Sequence, residues 1–329
     1  RSRGAAALAA ALVATTPTYI LVNGHIGYSN STTPMFTTAM LLALVAAVER
    51  HSGPLLVLGG FLAGLSLQTH LSIVPLLAGM VVWFLAQRGG RRWLRTKWPY
   101  LALAAAVVAY SPVIWFNLKS GFATLSEPAA HPYAYTGRIG LARYLENLRL
   151  LIWELTWMVS GRMSLRPEPT FFLLMGAVRL GWLVAGLVYA LRRRDRLLFT
   201  LLLSTMALMP AFNNLYSRTM GTRYVVWLLP VVYTGLAALV PPLLRRFNSR
   251  LGSVLVGVCT VALILFPVVP LGMYYSSHQA RQRTNEDLLR LAQTIGREAG
   301  PSSLVVIDEG VDLLYLSNAG TVLSAMDYL

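Results

Sequence analysis

Charged residues are scarce in this sequence, and acidic residues are the scarcer kind. Only 12% of the 329 residues are charged and 56% are hydrophobic, whereas a soluble domain carries about twice that charged fraction. The composition therefore predicts an integral membrane protein. The 28 Lys and Arg residues outnumber the 13 Asp and Glu residues, but they occur in short blocks between apolar runs. This pattern is typical of the loops of a multi-pass membrane protein, so we expect no nucleic-acid partner.

Several kinds of site are also missing from the sequence. The one cysteine, Cys259, lies within an apolar run, which excludes a disulfide framework and a cysteine-based metal site. There is no Walker A or dinucleotide-binding glycine pattern, no HExxH and no GxSxG. Apart from Arg179, no charged residue lies clearly inside an apolar run, although ion-coupled transporters usually carry one. No obvious repeat of the two halves and no cleavable signal peptide are visible.

The apolar runs predict the fold class, an all-α multi-pass membrane protein. A helix needs about 20 apolar residues to cross the hydrocarbon core, or fewer where neighbouring helices shelter its ends. Residues 55–87 are compatible with one helical hairpin or with a broken helix, with Gln68–His70 at the break. The nine predicted spans lie near residues 4–22, 33–48, 55–68, 71–87, 99–116, 173–191, 197–213, 224–243 and 252–272.

Three blocks of basic residues predict the orientation of these spans. If the blocks at 88–97, 192–196 and 245–250 face the cytoplasm, alternation of the spans also puts Arg1, Arg3 and Arg50 inside. The segments left outside are 23–32, Gln68–His70, 117–172, 214–223 and the chain after 273. We therefore predict a multi-pass protein of the plasma or inner membrane whose C-terminal tail is external.

Two segments outside the spans have a predicted structure of their own. Within 117–172, residues 144–160 combine charged residues with apolar ones at helical spacing, which predicts an amphipathic helix lying in the membrane interface.

Residues 1–275 form the transmembrane domain, and 276–329 begin a small external α/β domain. Acidic residues follow its predicted strand at 304–307, but such groups are more often caps or solvated loop residues. We therefore assign no metal ligand among Asp308, Glu309 and Asp312.

The stretch Phe212–Pro230 is the strongest candidate for a functional site. It places Arg218 and Arg223 in a short polar loop before an apolar helix that begins at Tyr224. Arginine is costly in or against hydrocarbon, and its forked guanidinium suits phosphate oxygens. Binding of a substrate phosphate and simple snorkelling to lipid headgroups are both compatible with this pattern.

Alternation brings polar residues from four segments to the same outer face. For each of them an ordinary structural role competes with a functional one, such as a histidine at a helix break or an asparagine that caps a helix. Together they predict a cationic, outward-facing site suited to a lipid-linked phosphate or pyrophosphate donor. The residues are His25, Tyr28, Asn30, His70, Asn117, Tyr216, Arg218, Arg223 and Tyr224.

Three motifs resemble a known family. Gly60–His70 has the pattern GxxxGLSxQTH within a longer similar run at 16–72, Ser111–Gly121 reads SPVIWFNLKSG, and Thr222–Pro230 reads TRYVVWLLP. These motifs, together with the external tail, resemble the bacterial GT-C glycosyltransferases of the protein mannosyltransferase and aminoarabinose transferase type. The resemblance covers most of the chain.

The resemblance implies an inverting transfer of a sugar from a polyprenyl-phosphate donor to a glycan, lipid or protein acceptor on the external, periplasmic face. It implies that Arg223, helped by Arg218 or His70, stabilises the departing lipid phosphate, and that Tyr28 and Tyr224 line the pocket. The family's catalytic base is an acidic residue of the first external loop. We expect that residue upstream of Arg1, in an N-terminal part that this sequence lacks.

One departure from the family bears on metal binding. Relatives often carry an Asp where this sequence has Asn30 or its neighbours, which weakens the case for a metal- or sugar-binding role there. A divalent metal ion is the one cofactor that the resemblance leaves open.

Two other classes of function also remain open. A transporter or flippase of a lipid-linked glycan would need an outward basic patch too, but it would form no glycosidic bond. A non-catalytic scaffold protein would depend on Arg223, His70 and Asn117 only for its stability. The motifs favour the enzyme.

Overall fold

The computed structural model describes residues 3–25, 32–87, 90–122, 140–162, 170–193, 195–213, 224–247, 249–276 and 293–294. These residues are mostly helical and contain no β-strand, which agrees with the predicted all-α membrane fold. The chain divides into two units, Arg1–Val268 and Val269–Leu329. Nearly all of the α/β domain predicted at 276–329 lies outside the described residues, so that domain stays a prediction.

The described residues form α-helices and two 3₁₀ helices. Two 3₁₀ helices, Leu71–Ile73 and Val226–Leu228, precede α5 and α11. In chain order the α-helices of the described parts are α1 (Arg3–Ala14), α2 (Pro17–His25), α3 (Thr33–Glu49), α4 (Gly53–Thr69), α5 (Val74–Ala86), α6 (Gly90–Trp93), α7 (Trp98–Lys119), α8 (Leu141–Ser160), α9 (Thr170–Arg192), α10 (Arg196–Asn213), α11 (Leu229–Ala237), α12 (Val240–Arg246), α13 (Arg250–Leu265) and α14 (Val268–Ser276).

Among the described residues, four stretches are long and apolar enough to cross a membrane, namely Trp98–Lys119, Thr170–Arg192, Val226–Arg246 and Arg250–Met273. Shorter apolar helices of 10–17 residues occupy Gly4–Ala14, Thr33–Glu49, Gly53–Thr69, Leu71–Ala86 and Arg196–Ala211. Each of these helices coincides with a predicted span. Because the second group is shorter than a crossing helix normally is, the count of nine spans stays a prediction.

Three of the predicted spans are broken helices. The first is interrupted at Thr15 and Thr16, directly before Pro17. Another is interrupted between α11 and α12, before Pro241 and Pro242, and the last is interrupted at Phe266 and Pro267, between α13 and α14. A proline has no backbone N–H and its ring clashes with the preceding turn, so a helix tends to end before it. Hydropathy alone does not register these breaks.

Contacts between helices give their relative directions. Helices α4 and α7 run parallel, since Gly53 lies against Trp98 and Gly60 lies against Ala102 further along both helices. Helix α3 runs antiparallel to α4, because its first residue, Thr33, donates a hydrogen bond of 2.8 Å to the Oγ1 atom of Thr69 at the end of α4.

The chain reverses direction at His70. Phe84, near the end of α5, packs with Leu56 near the start of α4, Ala47 near the end of α3 and Ala102 near the start of α7. Of the two alternatives for residues 55–87, the structure therefore has the helical hairpin. We call the end of the bundle at which α4 finishes the His70 end. We call the opposite end, which carries the basic residues 91–97, the basic end.

Helix α8 packs against α9 and α10. The Tyr144 hydroxyl donates to the carbonyl oxygen of Ala207 over 2.8 Å, and the Asn147 amide donates to that of Pro210 over 3.0 Å, both within two turns of the end of α10. The opposite end of α8 packs against Gly176 of α9. Its charged and apolar residues divide between two faces, as expected for a helix at a membrane interface.

The centre of the bundle is the stretch that follows the predicted polar loop. Residues 225–229 are at most 1% exposed, and α11 behind them is also buried. This stretch is enclosed by α1, α3, α9 and α10. The sequence around Tyr224 therefore leads from the predicted loop directly into the core, so the position of Tyr224 is fixed by the packing that follows it.

Candidate functional site

His70 shapes the turn between α4 and α5. Its backbone is extended, and its Nδ1 atom accepts a hydrogen bond of 3.0 Å from the backbone N–H of Ser72. A side chain that accepts from the second following N–H is acting as a helix N-cap. Because Nδ1 is the acceptor, the ring proton of the neutral imidazole is on Nε2. The turn therefore fixes which ring atom can donate to a ligand.

Tyr224 lies next to His70. The centroids of the two rings are 5.1 Å apart and their planes are inclined by 42°. Both side chains are partly exposed, at the His70 end of the bundle. Two predicted site residues that are distant in the sequence thus form one aromatic pair.

Trp227 fixes this pair in place. Its indole N–H donates to the hydroxyl oxygen of Ser72 over 3.0 Å and to the carbonyl oxygen of Tyr224 over 2.7 Å. Trp227 is 1% exposed, so its single donor is satisfied by the two segments that carry His70 and Tyr224. The sequence motif predicts functional roles for Arg223 and Tyr224, whereas Trp227 is the residue that joins the segment of Tyr224 to the turn at His70.

A third segment reaches the same end through α3. The Thr69 hydroxyl donates to the carbonyl oxygen of Ser66 over 2.7 Å, and its oxygen accepts the hydrogen bond from Thr33. Thr33 is buried. The start of α3 is thereby attached to the turn at His70, one residue after Thr69.

Asn117 also belongs to the His70 end, because α7 runs parallel to α4. Its side-chain amide donates to the carbonyl oxygen of Val113 over 2.9 Å, within its own helix, and its own carbonyl oxygen accepts from the N–H of Phe122 over 2.7 Å. Both bonds are local to the end of α7. A role toward a ligand stays a prediction.

The remaining candidates lie outside the described part of the chain. His25 is the last residue of α2, but its side chain is outside the description. The same holds for the whole of Tyr28, Asn30, Tyr216, Arg218 and Arg223. Their roles stay predictions from the sequence. Within the described residues, no group of three or more His, Cys, Asp or Glu side chains could hold a metal ion.

Arg179 forms a buried polar cluster with Tyr233 and Thr16. Its side chain is 1% exposed, and its Nη2 atom donates to the hydroxyl oxygen of Tyr233 over 3.1 Å. The same hydroxyl lies 2.8 Å from the hydroxyl of Thr16, at the break after α1. Thus Arg179 pairs within the bundle, nine residues and about 13 Å along α9 from its start at Thr170.

The hydrogen bonds of this cluster run in one direction. The Thr16 hydroxyl donates to the carbonyl oxygen of Leu12 over 2.7 Å, so its oxygen must accept from Tyr233. The Tyr233 hydroxyl, having donated its only proton to Thr16, accepts from Arg179. Three helices are joined by this chain of bonds: α1, α9 and α11.

The guanidinium of Arg179 is only partly satisfied. Its Nε and Nη1 atoms have no hydrogen-bond partner among the described residues. Gly161, which follows α8, lies against Nη1 at φ +71, a backbone conformation that favours glycine. A Cβ at this position would also overlap Nη1. The end of a helix carries partial negative charge, so the end of α8 is a favourable neighbour for this cation.

Glu154 is a half-buried carboxylate on α8. Desolvation by burial raises its pKa from the ordinary value of 4.5 to about 7. Glu146, on the same helix, behaves in the opposite way, because its hydrogen bonds with Arg149 at 2.7 and 2.8 Å lower its pKa. Two carboxylates of one helix therefore titrate in different pH ranges.

We expect Glu154→Gln to stabilise the protein relative to the parent as the pH rises through 7. The folded protein binds the Glu154 proton more tightly than the unfolded chain does. The stability gained from this tighter proton binding is therefore complete below about pH 4.5, and it is lost as the pH rises through about 7. Glutamine carries no charge at any of these pH values. Thermal unfolding of both proteins in detergent, from about pH 5 to about pH 8, measures the difference.

Glu146→Gln is the control for this prediction. Its carboxylate is exposed and its pKa is lowered, so removal of the charge should not stabilise the protein at neutral pH. If both variants shift the unfolding temperature equally at every pH, burial of Glu154 is not the cause.

Comparison with known proteins gives a family match over part of the chain. Residues 2–116 match the family model described as dolichyl-phosphate-mannose-protein mannosyltransferase. These residues include α1 to α5 and His70, and they end one residue before Asn117. Neither the curated proteins nor the solved structures contain a match. The family match confirms the resemblance drawn from the sequence and supports a membrane glycosyltransferase of the GT-C type.

Proposed function

We propose that this protein transfers a sugar from a polyprenyl-phosphate donor to an acceptor at the His70 end of the bundle, on the external, periplasmic face of the membrane. The observation that carries the proposal is the pair of His70 and Tyr224, with ring centroids 5.1 Å apart. His70 lies within residues 2–116, the part of the chain that matches the family model. The segment that begins after Arg223 supplies Tyr224.

The chemistry assigns a role to each group. The acceptor hydroxyl attacks the anomeric carbon and its proton passes to a carboxylate acting as general base. The bond between the anomeric carbon and the phosphate oxygen breaks, and the lipid phosphate leaves with the electron pair. Arg223 stabilises the charge that develops on that phosphate, as fixed cationic donors do in a site sheltered from water. Arg218 assists it from the same polar loop.

His70 and Tyr224 form the wall against which the donor phosphate and sugar lie. With Nδ1 committed to the turn, His70 presents Nε2–H as a hydrogen-bond donor, and the phenol of Tyr224 adds an apolar face with a polar tip. Tyr28, Asn30, His25 and Asn117 complete the candidate site. The lipid chain of the donor remains in the bilayer beside the helices, so only the phosphate and sugar need to enter.

We expect Arg223→Ala to reduce sugar transfer by about 10²–10³-fold, as the loss of one transition-state donor does in other enzymes. The measurement uses membranes that contain the complete gene product and a panel of polyprenyl-phosphate sugars, with release of polyprenyl phosphate as the readout. Arg246→Ala is the matched control, since this exposed arginine ends α12. Unchanged release with Arg223→Ala would refute the assigned role.

His70→Asn tests the wall residue without removing the turn. Asparagine is also a good N-cap, so it can still accept from Ser72, but it has no group in place of Nε2. We expect a lower transfer rate at an unchanged unfolding temperature. A glycan flippase would release no polyprenyl phosphate with any of these proteins, and a scaffold protein would respond to these substitutions only through its stability.

A further inference from the structure

A cavity of about 430 Å³ lies at the basic end of the bundle. It is formed by the turn between α3 and α4 and by the segment from the end of α5 to the start of α7. Its lining includes His51, Gln87, Arg92, Trp93 and Trp98. The length of α4, which has 17 residues or about 26 Å, separates this cavity from His70. It is therefore a different site from the one described above.

Close packing determines the walls of the cavity. Gly53 lies directly against the indole ring of Trp98, where any Cβ would overlap the ring. Trp93 packs edge-on against Phe84, with ring centroids 6.2 Å apart, and Gly90 lies against the carbonyl oxygen of Phe84 with no room for a Cβ. Each wall thus depends on a close contact, so the cavity is part of the packing of this end.

The charge around the cavity is mostly positive. Between residues 48 and 98 the sequence contains six Lys and Arg residues and one acidic residue, Glu49. Arg92 lines the cavity with an exposed side chain, and His51 faces it from the other wall. Arginine binds phosphate oxygens through a planar fork of donors. The ligand that complements these walls is therefore an anion.

The position of the cavity points to a lipid. It lies where the apolar helices α3, α4, α5 and α7 meet the basic segment, which is the depth of lipid headgroups. Tryptophan prefers this depth because its ring is apolar and its N–H is polar. Basic pockets between transmembrane helices bind the headgroups of anionic lipids. A free anion would use the cation but would gain nothing from the aromatic and aliphatic walls.

We propose that this cavity binds the headgroup phosphate of an anionic phospholipid. Arg92 and His51 donate to the phosphodiester oxygens, and Gln87 offers a further polar group at the rim. Trp93 and Trp98 flank the glycerol part of the headgroup, and the acyl chains run along the apolar helices. The lipid joins the turn after α3 to the segment before α7.

The test is retention of phosphatidylglycerol by the complete protein, purified from vesicles that mix phosphatidylglycerol with an excess of phosphatidylcholine. Native mass spectrometry counts the bound lipids. We expect Arg92→Gln to weaken retention of phosphatidylglycerol about tenfold, the effect of one lost charge-assisted hydrogen bond. His51→Asn should also weaken it. Asparagine tolerates the positive φ of 50 at this position, so this variant keeps the turn.

Arg246→Gln is the matched control, because it removes the same charge from an exposed arginine that does not line the cavity. Retention should remain at the parent level in this variant. Equal losses in Arg92→Gln and Arg246→Gln would overturn the proposal in favour of general surface charge. Equal retention of phosphatidylcholine, or displacement of the lipid by inorganic phosphate, would also overturn it. The readout does not depend on sugar transfer, so it is independent of the proposed function.

Discussion

Replacing Gly60 with leucine should separate α7 from α4 and lower the free energy of unfolding by about 3 kcal/mol or more. A Cβ at Gly60 would overlap the carbonyl oxygen of Ala102, and one at Gly64 would overlap that of Ala106. These atoms belong to the backbone, so the clash cannot be relieved by a side-chain rotation. Helix α7 has to move as a whole.

The expected effect is large because α7 has little other support. Only 6% of the most apolar 18-residue stretch of α7 is buried inside the bundle. Helix α4 is the principal neighbour of α7. Glycine and alanine at four-residue spacing allow two membrane helices to approach closely, and α4 and α7 meet through Gly60 and Gly64 on one side and Ala102 and Ala106 on the other. Leucine at position 60 removes this fit.

Thermal unfolding in detergent and proteolysis of the segment before α7 measure the result. Gly257→Ala is the matched control, since this glycine lies within helix α13 and a Cβ there meets no atom within 4 Å. Alanine is the better helix former by about 1 kcal/mol, so that variant should be neutral or slightly more stable. If Gly60→Leu unfolds at the temperature of the parent, the close crossing of α4 and α7 is wrong.

Much of the fold followed from the sequence because hydropathy reports burial in a membrane directly. Each predicted span coincides with an apolar helix, and the amphipathic pattern at 144–160 corresponds to α8, Leu141–Ser160. The breaks at Thr16 and before Pro241 were not predicted. Hydropathy averages over a window, and it therefore passes over a proline that interrupts an otherwise apolar run.

The candidate site was predictable only in outline. Alternation of spans put His70 and Tyr224 on one face, but their contact depends on Trp227 donating to Ser72. A tryptophan in an apolar run looks like any other core residue, so nothing in the sequence marks it. The partner of Arg179 is equally invisible, because Tyr233 lies in a different helix and its hydroxyl is satisfied only in the assembled bundle.

Replacing Tyr233 with phenylalanine should destabilise the protein by about 3 kcal/mol, because it leaves a buried charged donor without its hydrogen-bond acceptor. The hydroxyl of Tyr233 is the described acceptor for Arg179, whose Nε and Nη1 atoms are already without one. Thr16 loses a donor but keeps its own bond to Leu12. Most of the expected cost therefore comes from the buried guanidinium.

A double-mutant cycle separates this explanation from a simple loss of packing. Arg179→Met removes the charge and keeps an unbranched side chain, and replacing a buried charge with an apolar group is often neutral or stabilising. We therefore expect Tyr233→Phe in the Arg179→Met background to cost less than about 1 kcal/mol, the value of one neutral hydrogen bond. Unfolding in detergent measures all four proteins. An equal cost of Tyr233→Phe in both backgrounds would mean that the two side chains are not coupled.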